Sequence, residues 1–286
     1  MSLLGKKALV TGGSRGIGSA IAKRLAADGA AVAITYSGNK TAADETVAAI
    51  ERAGGAAFAF KADASQPESQ RAGVEQAAAA LGGIDILVHN AGVAEFSTIA
   101  DDTDDTYDRQ FGVNVKGLHV GTRAALPHLR EGGRIILIGS ISGEMAFPAT
   151  SVYSATKAAV AALARGWAKD LASRNILVNT VQPGPIDTDM NPADSEFAEQ
   201  MIGAIPLGRY GRVEEIAGAV SFLAGPDASY ITGTTRNSDG GASAESRDRP
   251  LRPAEGPLGP ILHAPRNCRR SASVGSCARK PAPDDT

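Results

Sequence analysis

Lys7-Ala-Leu-Val-Thr-Gly-Gly-Ser-Arg-Gly-Ile-Gly18 is the stretch on which the fold turns. An apolar run from Lys7 to Val10 breaks into a Gly-rich turn, and a helical pattern from Ile17 to Ala27 follows. Gly12 permits a tight turn, Gly16 lets the backbone approach a pyrophosphate, and Gly18 lets helix and strand pack closely. The helix start then offers free N–H groups and a partial positive charge to phosphates. Glycines also mark ordinary turns, but the strand–turn–helix setting favours a dinucleotide site.

Downstream, the same alternation continues. Strands are expected at Ala31 to Tyr36, Ala57 to Lys61, Ile84 to His89, Arg134 to Gly139, Ile176 to Val181 and Tyr230 to Thr235. Helices are expected at Thr41 to Arg52, Glu68 to Leu81, Thr103 to Leu129, Ser151 to Ala172 and Val213 to Leu223. Short, continuous apolar strands are what a parallel sheet covered on both faces requires. The pattern predicts an α/β fold: one doubly wound Rossmann sheet of about seven parallel strands with helices on both faces.

Composition sets the outer bounds. Of 286 residues, 43% are apolar and 21% charged, which excludes a wholly disordered chain, a collagen-like chain and a disulfide scaffold. No stretch approaches the length of a membrane span. The first residues run straight into a strand without the order of a secretory signal, so a cytoplasmic location is expected. A net charge of −2 gives no case for nucleic acid or an acidic membrane as partner. The character changes at Ala242: residues 242–286 hold seven of the 15 prolines and both cysteines, with eight basic against five acidic residues. The body is therefore placed at residues 1–241 and the rest is expected to be a disordered tail. Arg266 to Arg270 read as solvated charge, and Cys268 and Cys277, with only His263 near, make a poor metal site.

The end of the second strand discriminates between cofactors. A carboxylate there would accept bonds from a ribose 2′-hydroxyl and repel a 2′-phosphate. The sequence has Tyr36, Ser37, Gly38, Asn39 and Lys40 instead. Arg15 and Lys40 supply positive charge, and Ser37 and Asn39 supply hydrogen bonds, so NADP(H) is expected. The bland alternative is that both cations are merely solvated.

Tyr153-Ser-Ala-Thr-Lys157 puts a phenol and an ammonium four residues apart on one helix face. A free phenol, with a pKa near 10, exchanges protons poorly at neutral pH, and a neighbouring cation would stabilise its phenolate. Tyr153 is then a general acid for reduction and a general base for oxidation. Ser140, at the end of the fifth strand, can hold a substrate carbonyl by hydrogen bonding.

These residues resemble the motifs of the short-chain dehydrogenase/reductase family across residues 3–241. Thr11-Gly12-x3-Gly16-x-Gly18 resembles its cofactor turn, and Asn90-Ala91-Gly92 its segment after strand four. Asn114, Ser140, Tyr153 and Lys157 match its catalytic tetrad, Asp63 its adenine-side acid, and Pro183-Gly184 with Thr188 its nicotinamide-side loop. The resemblance implies hydride transfer between NADP(H) and a ketone or alcohol carbon. It implies cofactor contacts at Gly12, Ser14, Arg15, Gly16, Ile17, Gly18, Tyr36, Ser37, Asn39, Asp63, Ala64, Asn90, Ala91, Gly92, Tyr153, Lys157, Pro183, Gly184, Ile186 and Thr188. Lys157 would also bind the nicotinamide ribose, and Asn114 would hold a water that relays protons. The nearest likeness is to 3-oxoacyl-[acyl-carrier-protein] reductases and related ketoreductases. Val181 to Asp189 also resembles a branch described as cyclic-di-GMP-binding oxidoreductases.

Some residues depart from the family or read blandly. Arg236 and Ser238 stand where the family has apolar residues, which weakens the expectation of a homotetramer while leaving a homo-oligomer expected. Met190, Phe197, Met201 and Ile202, in or beside the lid segment Asn191 to Ile205, suggest an apolar wall and a moderately apolar ketone. His89 reads as a packed residue. His119, His128 and the acids at 101–105 give no metal site, and Thr103 reads as a helix cap. The alternative from another class is a regulatory protein that binds a nucleotide and turns over little.

Overall fold

The structure is a computed structural model that describes residues 3–244. The expected tail, with Arg266 to Arg270, Cys268 and Cys277, lies outside the described residues. Ala242 to Ala244 belong to the body: Ala242 packs on the Ala198, Ile205 and Tyr210 cluster, and the Ser243 N–H donates to Asp239 at 2.8 Å. The body thus runs past the expected boundary at Gly241.

Seven strands form one sheet: β1 (Lys7–Thr11), β2 (Ala31–Tyr36), β3 (Ala57–Lys61), β4 (Ile84–His89), β5 (Leu129–Ile138), β6 (Leu177–Pro183) and β7 (Thr235–Ser238). Their order is β3-β2-β1-β4-β5-β6-β7, and every pairing is parallel. Alternation on β1 shows how it is covered. Ala8 and Val10 face one core, with Ile21, Leu25, Ile216 and Val220; Leu9 faces the other, with Val74, Leu87, Val160 and Ala164. The first core lies under α1 (Gly16–Ala27), α2 (Lys40–Arg52) and α8 (Val213–Ala224). The second lies under α3 (Pro67–Leu81), α5 (Leu118–Ala125) and α6 (Ser151–Asp170). Strand order reverses between β1 and β4, and in open α/β sheets the crevice outside the strands' carboxyl ends at that point takes ligands.

Three expected elements differ. The helix expected at Thr103 to Leu129 is α4 (Asp104–Phe111), a π-helical turn at Gly112–Gly117, and α5. Thr103 caps α4 by accepting from the Thr106 N–H at 3.2 Å. The interruption is close-packed, since a Cβ on Gly117 would stand 2.2 Å from the Ala64 carbonyl oxygen. Leu129 opens β5 instead of ending a helix, because β5 extends back through the polar, glycine-rich Arg130 to Gly133. The last strand is Thr235–Ser238 rather than Tyr230–Thr235. Tyr230 stands exposed, and β7 is held on β6 by register Thr180↔Thr235 to Pro183↔Ser238. Main-chain pairing at a sheet edge needs no apolar face, so its Thr-Arg-Asn-Ser sequence carries no strand pattern.

Candidate active site

The carboxyl ends of β1 and β4 are laced together. Thr11 Oγ1 accepts from the N–H groups of Asn90 and Ala91, both at 3.1 Å. Asn90 Nδ2 donates to the carbonyls of Thr11 at 3.2 Å and Gly12 at 2.9 Å. Gly12 and Gly16 take left-handed conformations, φ +64° and +52°. A Cβ on Gly12 would lie 2.8 Å from Ala91 Cα, and one on Gly18 would lie 2.3 Å from the Gly12 oxygen. Only glycines permit these approaches. The first turn of α1 has no acid, and its N-cap Arg15 makes no side-chain cap. Its leading N–H groups therefore face the crevice as donors for an anion, which fits a dinucleotide's diphosphate. The Ser14 carbonyl is taken by Thr46 Oγ1 at 3.1 Å, and Ile17 packs against the first core.

Tyr36 closes β2, its carbonyl accepting from the Ala62 N–H at 2.8 Å. Ser37 is exposed, and Asn39 caps α2 by accepting from the Ala42 N–H at 3.0 Å, leaving its Nδ2 available. Lys40 lies beside Asp44, which raises the ammonium's pKa. Arg15 Nη1 stands 3.5 Å from Asp189. Asp63 Oδ1 holds both the N–H and the hydroxyl of Ser65, at 2.9 and 2.8 Å, and Ala64 is buried behind it.

Asn114, Ser140, Tyr153 and Lys157 come from three separate places: the π-helical turn, the end of β5 and α6. Ser140 follows β5, and its hydroxyl accepts from the Ser142 N–H at 3.1 Å. Tyr153 and Lys157 stand one turn apart on α6, with Lys157 Nζ 5.6 Å from the phenol ring's centre. Nζ donates to the Ile138 carbonyl at 3.1 Å. Asn114 lies in the π-helical turn, the irregularity that often accompanies functional side chains. It accepts from the Val93 N–H at 2.8 Å and donates to the Val93 carbonyl at 2.9 Å and to Thr156 Oγ1 at 3.1 Å. Gly92 closes the group, since a Cβ there would lie 3.3 Å from Asn114 Oδ1 and 3.6 Å from Lys157 Nζ.

The electrostatics correct one expectation. Lys157 does not acidify the phenol in the chain by itself. Burial pushes Tyr153 up, and hydrogen bonding with Ser140 pulls it back only in part. Burial also brings Lys157 down from 10.5 to about 8. Desolvation penalises charge on both groups, and it outweighs a cation 5.6 Å from the ring.

On the far side, Pro183 ends β6 and Gly184 sits so close to Asp239 that a Cβ would lie 2.6 Å from that residue's own. Ile186 is buried and bridges to Gly211. Thr188 Cγ2 lies 3.7 Å from where a Cβ of Gly16 would stand, so this loop covers the Gly-rich turn. Helix α7 (Glu196–Ile202), in the segment expected as a lid, starts at Ser195, whose hydroxyl accepts from the Ala198 N–H at 3.2 Å. Met201 and Ile202 pack on Ala198, Ile205 and Tyr210, while Met190 stands exposed; the Phe197 side chain lies outside those described.

Phe96 was not among the expected site residues. Its ring meets the Tyr153 ring edge to face at 6.0 Å and is largely exposed. The buried Gln110 carboxamide holds it in place by bonding both the N–H and the carbonyl of Glu95, at 3.3 and 3.2 Å. On the other side, the Ser97 N–H donates to the carbonyl of Ala149, itself at φ +62°. No periodicity marks Phe96; the only signal was a large apolar residue between the Asn90 segment and Thr103.

Among the described residues, no helix is long and apolar enough to cross a membrane, and no three His, Cys, Asp or Glu cluster to hold a metal. His89 is buried on β4 against Thr122.

A family model described as Enoyl-(Acyl carrier protein) reductase matches residues 12–243. The chain is 41% identical over 241 residues to the cyclic-di-GMP-binding biofilm dispersal mediator protein of Escherichia coli K12, covering 84% of this chain and 98% of that protein. It is 39% identical over 239 residues to a 3-oxoacyl-[acyl-carrier-protein] reductase of Staphylococcus aureus, covering 82% and 97%. A short chain dehydrogenase from Burkholderia cenocepacia J2315, solved in complex with NADP, shares 47% of residues at a TM-score of 0.83, covering 85% of this chain and all of that one.

Proposed function

Since the chain belongs to the short-chain dehydrogenase/reductase family, we propose that it is an NADP(H)-dependent oxidoreductase that reduces a moderately apolar ketone, 3-oxoacyl-like or similar, to a secondary alcohol. The observation that carries this reading is Lys157 Nζ 5.6 Å from the centre of the Tyr153 ring and bonded to the Ile138 carbonyl, two residues before Ser140. When bound, NADPH supplies the hydride.

The chain's own residues do the rest. The turn from Gly12 to Gly18 holds the diphosphate, and Arg15, Ser37, Asn39 and Lys40 meet the 2′-phosphate. Ser140 donates to the carbonyl oxygen and fixes its direction. Tyr153 gives its proton to that oxygen as the alcohol forms. A phenol held protonated by burial suits this reductive direction. Lys157 binds the ribose and returns a proton to Tyr153. Asn114 keeps the Gly92–Val93 loop against Lys157 and holds the water that links it to solvent. Phe96, exposed beside the phenol, offers an apolar surface to the substrate. Self-association is assigned to the face of α5 and α6 where the His119 and Trp167 rings meet at a tilt, 6.0 Å between centres, beside Leu126 and Leu171.

The test is NADPH oxidation against β-ketoesters, diketones, quinones and cyclic ketones, with Tyr153→Phe as the control. Turnover by the native chain that Tyr153→Phe lowers at least about a hundredfold, with cofactor binding spared, supports the mechanism. Undiminished turnover in that variant removes it. The Escherichia coli relative's name favours a second reading, a nucleotide-binding regulator with little turnover. Tight binding of cyclic-di-GMP with no turnover on any carbonyl would favour that one.

A further inference from the structure

Both cations assigned to the 2′-phosphate already face carboxylates of the chain. Lys40 bonds Asp44 on its own helix, at 2.9 and 2.7 Å. Arg15 reaches across to Asp189, Nη1 to Oδ2 at 3.5 Å. The second pair is the informative one, because Asp189 belongs to the loop over the Gly-rich turn. That loop is tied on itself. Asp187 Oδ1 accepts from the Ala193 N–H at 3.0 Å, and Thr188 and Asn191 exchange backbone bonds at 3.3 and 3.0 Å. Asp189 is therefore presented on a closed turn whose Thr188 already touches the space beside Gly16.

We propose that Asp189 competes with the cofactor's 2′-phosphate for Arg15 and so limits how strongly the chain prefers NADP(H) to NAD(H). This rests on the NADP(H) reading above. A guanidinium pairs with a carboxylate or a phosphate in the same forked geometry, so the two anions are alternatives at one group. A 2′-phosphate must displace Asp189 and then tolerate its charge nearby, whereas a 2′-hydroxyl makes no such demand.

The experiment is calorimetric titration of the cofactor-free chain with 2′,5′-ADP and with 5′-AMP. Wild type is compared with Asp189→Asn, with Arg15→Gln, and with both changes together. Asp189→Asn should tighten 2′,5′-ADP about two- to fivefold, the range an exposed ion pair allows. It should leave 5′-AMP unchanged and have no effect in the Arg15→Gln background. Wild type that prefers 2′,5′-ADP but is indifferent to Asp189→Asn overturns the proposal alone, as does equal tightening of both nucleotides. Wild type that binds the two nucleotides alike overturns the NADP(H) reading and the proposal with it.

Discussion

Lys157 is a buried ammonium, and it should make the stability of the body depend on pH through one side chain. Burial takes it from 10.5 in the open chain to about 8 in the fold. Between those values the unfolded chain holds a proton that the folded chain has released, so stability rises with pH across that window. Below about pH 8 both states are charged and the full cost of burying the ammonium is present. That cost is about 3 kcal/mol, at about 1.4 kcal/mol for each tenfold change in proton affinity. Raising the pH from about 7 to about 9.5 recovers about 2 kcal/mol of it, worth roughly 4–8 °C in Tm for a body of this size. Lys157→Met keeps the apolar stem and has nothing to titrate. Thermal melts of both proteins across that pH range give the test. The advantage of Lys157→Met over wild type should shrink by that amount as pH rises, and subtraction removes the surface lysines and tyrosines common to both. A difference in Tm that stays constant with pH would refute the burial argument.

Three further outcomes are expected. Thr122 Oγ1 donates to the Leu118 carbonyl, so His89 Nε2–H must donate to Thr122, and burial pushes this histidine down to about 3. The unfolded chain then gains a proton first as pH falls from 6.5, and lowering pH from about 7 to about 5 should cost about 2 kcal/mol, which His89→Gln should remove from acid melts. Gly18→Ala forces a Cβ to 2.3 Å from a backbone oxygen and 2.4 Å from Asn90 Nδ2. It should lower stability by at least about 2 kcal/mol and weaken cofactor binding, as read by melts and fluorescence titration. Removing residues 246–286 should leave activity and Tm nearly unchanged; a large loss of either would assign the tail a structural part.

The sheet was legible because burial on both faces writes its strands as continuous apolar runs, as in Ala31–Tyr36 and Ile84–His89. Where burial does not write the sequence, the reading failed. Thr235–Ser238 is a strand through main-chain pairing alone, and the apolar run before it, Tyr230 and Ile231, misled. The π-helical turn at Asn114 left no trace, since one widened turn barely shifts a helical period. Much the same division runs through the site. The glycines could be read because each is forced by a steric approach that leaves no other residue possible: Gly12 on Ala91, Gly18 on the Gly12 carbonyl. Ser140, Tyr153 and Lys157 are brought near one another as read, because a serine at a strand end and a one-turn spacing on a helix put them at the carboxyl edge of the sheet, whereas Asn114 was expected only through the family resemblance. The protonation states could not, because spacing along a helix states that Tyr153 and Lys157 are neighbours but not what covers them. Ile138, Gly92 and the Val93 loop enclose Lys157 from elements 19 to 65 residues away in sequence, and that enclosure pulls the ammonium toward neutral. A fully solvated lysine four residues from a tyrosine would make the phenol easier to ionise. The same pair under this cover keeps the phenol's proton in place.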